Sequence, residues 1–110
     1  MSFLKPYEGK IIVITSKNCP HCQVYKESIE SDPTLKEKTV FLPIEESRVA
    51  QLLSQVLDIR AVPTIVGLEV QDGKVNLCKI GKGNKVESCI QGDASNLDKY
   101  YEDKKEKREN

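Results

Sequence analysis

Four consecutive residues, Cys19-Pro20-His21-Cys22, carry the groups best suited to chemistry in this chain. They sit directly after the apolar run Lys10-Ile11-Ile12-Val13-Ile14-Thr15 and directly before a helical pattern. At a helix start, residues i and i+3 share a face, so the two sulfurs reach bonding distance without distorting the backbone. The first cysteine then stands at the positive end of the helix dipole, beside unpaired backbone N–H groups that favour thiolate over thiol. Thiolate is the species that attacks in disulfide exchange, so the spacing points to redox chemistry. His21 adds a tuning group on its own account: as a cation or through its ring N–H it stabilises the Cys19 thiolate, and the bland alternative is a solvated side chain. Lys17 is read in the same two ways, as a second stabilising charge or as plain surface.

The elements that must position these residues follow from periodicity. Ile11 to Ile14 has no polar alternation, as expected of a central strand covered on both faces. A helix is predicted from Pro20, favoured at a first helical position, to Ser31, with Val24, Tyr25 and Ile29 at helical spacing, and Asp32-Pro33 ends it. Val40 to Ile44 reads as a short strand that Pro43 places at an edge or a terminus. From Glu46 to Asp58, the residues Val49, Leu52, Leu53, Val56 and Leu57 form one apolar stripe, started by Ser47 or Glu46. Val62 to Val70 is a strand entered through Pro63, and Asp72-Gly73 signals a tight hairpin into Val75 to Ile80. Gly81-Lys82-Gly83-Asn84 is a second turn, with a further strand over Lys85 to Gln91. A last helix capped by Asp93 or Ser95 carries Leu97, Tyr100 and Tyr101. The order β-α-β-α-β-β-(β)-α describes an α/β layer, and the Cys19 loop falls at the carboxyl end of its first strand, where open α/β sheets place their sites.

Composition narrows the function classes. The 110 residues form one domain over residues 1–102, with a charged tail over 103–110. Seventeen basic residues balance seventeen acidic ones, leaving no overall field to hold nucleic acid or an anionic membrane. No apolar stretch nears the ~18 residues of a membrane span. The start, Met1-Ser2-Phe3-Leu4-Lys5-Pro6, lacks a secretory apolar core, so the chain as written reads as cytoplasmic. Four cysteines there favour catalytic or metal-binding use over a disulfide framework. Intracellular hyperthermophile proteins are the exception, and their Lys- and Glu-rich composition is shared by this chain and by many mesophile proteins.

Two segments together resemble the thioredoxin superfamily over roughly residues 10 to 101. Thr15-Ser16-Lys17-Asn18-Cys19-Pro20-His21-Cys22 is similar to the glutaredoxin active-site strand and loop. Asp58-Ile59-Arg60-Ala61-Val62-Pro63-Thr64 is similar to the thioredoxin segment that carries the family's cis-proline, and the Cys-Pro-His-Cys tetrapeptide is that of bacterial periplasmic disulfide oxidases. The resemblance implies a thioredoxin-like fold, a central mixed sheet of four to five strands flanked by three helices. It implies that Cys19 attacks a substrate disulfide, that the more buried Cys22 resolves the mixed disulfide, and that Pro63 is cis and faces the pair. It further implies that the Val62 backbone pairs with an extended substrate strand, with Thr64 in the same substrate-binding segment. Two features depart from the pattern: Val13 stands where thioredoxins carry a buried acid, and no tryptophan precedes Cys19. Ile90-Gln91-Gly92-Asp93 loosely resembles the glutaredoxin segment that holds glutathione at the start of the last helix.

The expected activity is thiol–disulfide exchange on disulfide-containing proteins or low-molecular-weight disulfides, by a monomer without metal or bound cofactor. A reductase or glutathione would supply electrons. One rival is a glutathione-dependent glutaredoxin; another is an iron–sulfur or zinc-binding dimer, since Cys-x-x-Cys is also a zinc-knuckle spacing. A four-coordinate zinc would need two more ligands, and only Cys78 and Cys89 remain among the cysteines. A third, weaker rival is an adaptor domain that has kept the fold for protein contact. If Gly81 pairs with Val86 across the turn Lys82-Gly83-Asn84-Lys85, Cys78 falls opposite Cys89 and Leu77 opposite Ile90, close enough for a second disulfide. Two free, half-buried cysteines are the other reading, and the sequence leaves that choice open.

Overall fold

The computed structural model describes residues 4–81 and 85–93. Five strands and three helices follow in the order β1 (Ile11–Thr15), α1 (Pro20–Glu30), α2 (Pro33–Lys38), β2 (Thr39–Pro43), α3 (Arg48–Val56), β3 (Thr64–Gln71), β4 (Lys74–Ile80) and β5 (Val86–Asp93). They form one mixed sheet in the order β2-β1-β3-β4-β5, with only β1 and β2 parallel. This is the thioredoxin-like α/β arrangement. The helix expected over Leu97 to Tyr101 and the 103–110 tail lie outside the described residues.

β1 is central and apolar on both sides, and Ile12, Val13 and Ile14 are all fully buried. Ile12 and Ile14 join Leu42, Val66, Leu68, Val75 and Leu77 in the core that α3 covers through Val49, Ala50 and Leu53. Each such valine, leucine or isoleucine side chain contributes about 1.5–3 kcal/mol relative to exposure. Removing the amphipathic stripe of α3 would therefore uncover this core.

Helix ends are fixed by local chemistry. The Ser47 Oγ accepts from the Ala50 N–H at 3.1 Å, which makes Ser47 the cap of α3. At the other end Asp58 takes a left-handed conformation (φ 53°), the Ile59 N–H donates to Ser54 O at 2.8 Å and the Asp58 N–H donates to Gln55 O at 3.4 Å. This Schellman turn satisfies the last carbonyls and aims the following loop back toward β1. Ser47→Ala is expected to cost about 1 kcal/mol. Urea denaturation checks it, and an unchanged midpoint would show that the cap is not holding the helix.

Two features differ from the expectation at α1. Val24 is 66% exposed, whereas Cys22 and Ile29 carry the buried face. Asp32-Pro33 does end α1, but it also begins α2: the Asp32 carboxylate accepts from Thr34 N at 3.0 Å and Leu35 N at 3.3 Å, with Pro33 at the first position. The same dipeptide that breaks one helix caps the next.

The Asp72-Gly73 hairpin forms with both residues at positive φ (53° and 77°), as a two-residue turn with the right-handed twist of its strands requires. The second hairpin is shifted from the expectation at its closing pair. Ile80, not Gly81, pairs with Val86, and the Gly81 N–H donates to Lys85 O at 2.8 Å. A bulge at Glu87 absorbs the one-residue offset, so Cys78 still faces Cys89 and Leu77 still faces Ile90. Cys78 and Cys89 are joined by a disulfide, with Cα atoms 4.1 Å apart. β5 runs to Asp93, two residues past the expected end at Gln91.

Candidate active site

The end of β1 hands the chain to a three-residue loop, Ser16 to Asn18, and then to α1. Cys19 is the cap of that helix: its Sγ accepts from the Cys22 N–H at 3.1 Å. Cys19 and Cys22 form a disulfide with Cα atoms 5.2 Å apart. Cys22 is only 4% exposed, while Cys19 is half-buried, so the helix start presents one sulfur and shields the other. Pro20 occupies the first helical position, where its missing N–H leaves no donor unmet.

The loop ahead of Cys19 is anchored from a distant part of the chain. Glu45 accepts from the Ser16 hydroxyl and from the Lys17 N–H at 3.2 Å. Donation from Ser16 holds the Glu45 carboxyl below the usual range. The Lys17 ammonium lies 2.7 Å from the Glu46 carboxylate, and this hydrogen bond raises the lysine above its ordinary value. The Lys17 charge is thus directed at Glu46. The anchoring role of Glu45 and Glu46 was not anticipated, although two acids just ahead of a capping serine mark a helix start that can also receive donors from a neighbouring loop.

Opposite the pair stands the loop leaving α3. The Val62–Pro63 peptide is cis, and Val62 O is 3.8 Å from Cys19 Sγ. Thr64 donates its hydroxyl to Ala61 O and pairs with Ile14 of β1, which fixes this turn against the end of the first strand. Val62 thus stands beside Cys19, and Pro63 and Thr64 follow it in the same turn. His21 is exposed and lines, with Val62 and Pro63, a cleft of about 840 Å³. Tyr25, in the same cleft, has its phenol pushed up by burial. A second cleft of about 620 Å³ lies on the other side of Cys19, between Lys17 and Phe41.

Cys78 and Cys89 do not join this site. Cys78 pairs with Gly67, which pairs with Ile11 at the opposite end of β1 from Thr15. Gln91-Gly92-Asp93 is also displaced from the place its resemblance suggested. It continues β5 beside Lys74 to Asn76, four to six residue steps or about 13–20 Å along the sheet from the Ile80 end that borders the cleft. Among the described residues, no group of three or more His, Cys, Asp or Glu side chains could hold a metal ion. No described helix is long and apolar enough to cross a membrane.

No curated protein and no solved structure matches this chain. A family model described as a thioredoxin-like domain matches residues 4–83. That span holds the helix-capping cysteine and the turn that faces it, and it stops short of β5 and Cys89. The chain belongs to the family of thioredoxin-like domains.

Proposed function

We propose that the protein is a dithiol–disulfide oxidoreductase that reduces protein or small disulfides through Cys19. The observation that carries this reading is the placement of the Cys19 sulfur, which accepts a backbone N–H at 3.1 Å and is bonded to a shielded partner one helical turn on. In the reduced protein that N–H and the helix N-terminus stabilise a thiolate, and His21 adds its own charge when protonated.

The exchange balances in two steps. The Cys19 thiolate attacks one sulfur of the substrate disulfide, the substrate S–S bond breaks, and the other sulfur leaves as a thiolate. Cys22, having lost its proton, then attacks Cys19 Sγ, closing the internal disulfide and releasing the second substrate thiolate. The substrate gains two electrons and two protons. A reductase dithiol or a low-molecular-weight thiol such as glutathione restores the pair, with no bound cofactor in the sequence of steps. The Val62 backbone, beside the sulfur, is the partner for an extended substrate segment. The reading includes the cytoplasmic monomer expected from the sequence.

The test is direct. Reduced protein mixed with a peptide disulfide should lose two hydrogens by intact mass as the Cys19–Cys22 bond closes, and release two peptide thiols per chain. A protein that stays reduced in the presence of excess disulfide would sink the proposal.

A further inference from the structure

The cleft beside His21 and Pro63 contains, among the described residues, one lysine and one arginine, and each has an acid of its own. Arg60 Nε lies 3.2 Å from Asp58, with both side chains largely exposed. Lys79 Nζ lies 3.7 Å from Glu87, and Lys79 is the sheltered cation of the two, its side chain 24% exposed against 83% for Arg60. A sheltered ammonium is the better site for a substrate carboxylate, because solvent and salt screen it less. Glu87 takes that position first.

The placement of Glu87 is built into the backbone. It is the bulged residue of β5, left without a cross-strand partner between the Ile80–Val86 and Lys79–Ser88 pairs. A bulge redirects its side chain. The carboxylate of Glu87 then folds across Gly81, where a Cβ would collide with it. Glycine at position 81 leaves room for this acid, and a side chain there would push the flexible carboxylate aside. β5 lies beyond residue 83, where the family match ends, so the acid is supplied by a part of this chain outside the matched domain. The rest of the cleft offers apolar surface from Ile59, Val62, Ile65 and Ile80.

We propose that Glu87 is a specificity-determining residue: by occupying Lys79 it denies the cleft to small disulfides that dock through carboxylates, and selects polypeptide disulfides with uncharged apolar neighbours. This rests on the oxidoreductase reading and names its substrate class. Glutathione disulfide, with two carboxylates in each half, is the disfavoured case. An extended polypeptide needs only backbone partners and apolar contact.

The experiment compares exchange rates of the reduced protein with glutathione disulfide and with a neutral, apolar peptide disulfide. The unaltered protein should favour the peptide. Glu87→Gln frees Lys79 and should raise the glutathione-to-peptide rate ratio about tenfold at low salt, the scale of one charge-assisted hydrogen bond. The double variant Glu87→Gln/Lys79→Gln should lose that gain, and added salt should shrink it. Circular dichroism confirms that each variant is folded, and Gly81→Ala, which displaces the carboxylate without removing it, gives an independent change in the same direction. A ratio unmoved by Glu87→Gln, or an unaltered protein that favours glutathione disulfide, overturns the specificity proposal alone. Reaction with neither disulfide overturns the oxidoreductase reading and this proposal with it.

Discussion

Serine in place of Cys22 should arrest the reaction at its midpoint. The Cys22→Ser variant keeps the backbone N–H that reaches Cys19 Sγ at 3.1 Å, so the attacking thiolate is still stabilised. What it loses is the sulfur that expels the second half of the substrate. A one-to-one mixed disulfide through Cys19 is expected to accumulate, with turnover on dithiol-requiring substrates down by orders of magnitude. Intact mass and peptide mapping measure this directly. Cys19→Ser should form no adduct, because the remaining sulfur belongs to a residue only 4% exposed. An adduct on Cys22 in that variant would reverse the assignment of attacker and resolver. Undiminished turnover in Cys22→Ser would instead indicate single-thiol chemistry of the glutaredoxin kind.

The second large effect is on stability. Cys78 and Cys89 close a loop with a sequence separation of 11, and opening a loop of that size costs about 3 kcal/mol in the chain-entropy account. Against a total of roughly 5–15 kcal/mol for a domain, that is a substantial fraction. The double variant Cys78→Ser/Cys89→Ser should therefore unfold at a clearly lower denaturant concentration. The wild type treated with a strong reductant should move toward the same midpoint. Two free thiols in a Cys19→Ser/Cys22→Ser variant under non-reducing conditions would remove the bridge altogether. Coincident midpoints for wild type and variant would show that the ladder of β4 and β5 holds this edge without it.

How much could be read from residue order depended on the range of the interaction involved. The continuous apolar run Ile11 to Ile14 and the stripe from Val49 to Leu57 announced themselves because burial on two faces or one leaves a direct periodic trace. Asp72-Gly73 was legible because turn chemistry fixes cross-strand partners; the Cys78–Cys89 register holds because a bulge offsets a turn that closes one residue away from the expected pair. The closing pair of the second hairpin was misplaced by one residue, since a bulge at Glu87 has no sequence signature beyond a mismatch in counting. Val24 looked like a core position by spacing, yet α1 buries its other side through Cys22 and Ile29. The second helix was hidden because Asp32-Pro33 serves as a stop and a start at once.

At the site, the cysteines and the Val62–Pro63 turn were visible as motifs, whereas Glu45, Glu46 and Glu87 were not. Their partners lie 28 residues away for Glu45 and across a hairpin for Glu87, and only the folded topology brings them together. Carboxylates on the surface are too common for their identity alone to mark a role.

The tether between Ser16 and Glu45 has a bearing on engineering. Transplanting residues 16–22 into a foreign sheet would move the reactive tetrapeptide without the acid that receives the Ser16 hydroxyl and the Lys17 amide. The graft would carry a competent thiol on an unsteady mount. A successful transplant must bring the turn that precedes α3 as a second, discontinuous fragment.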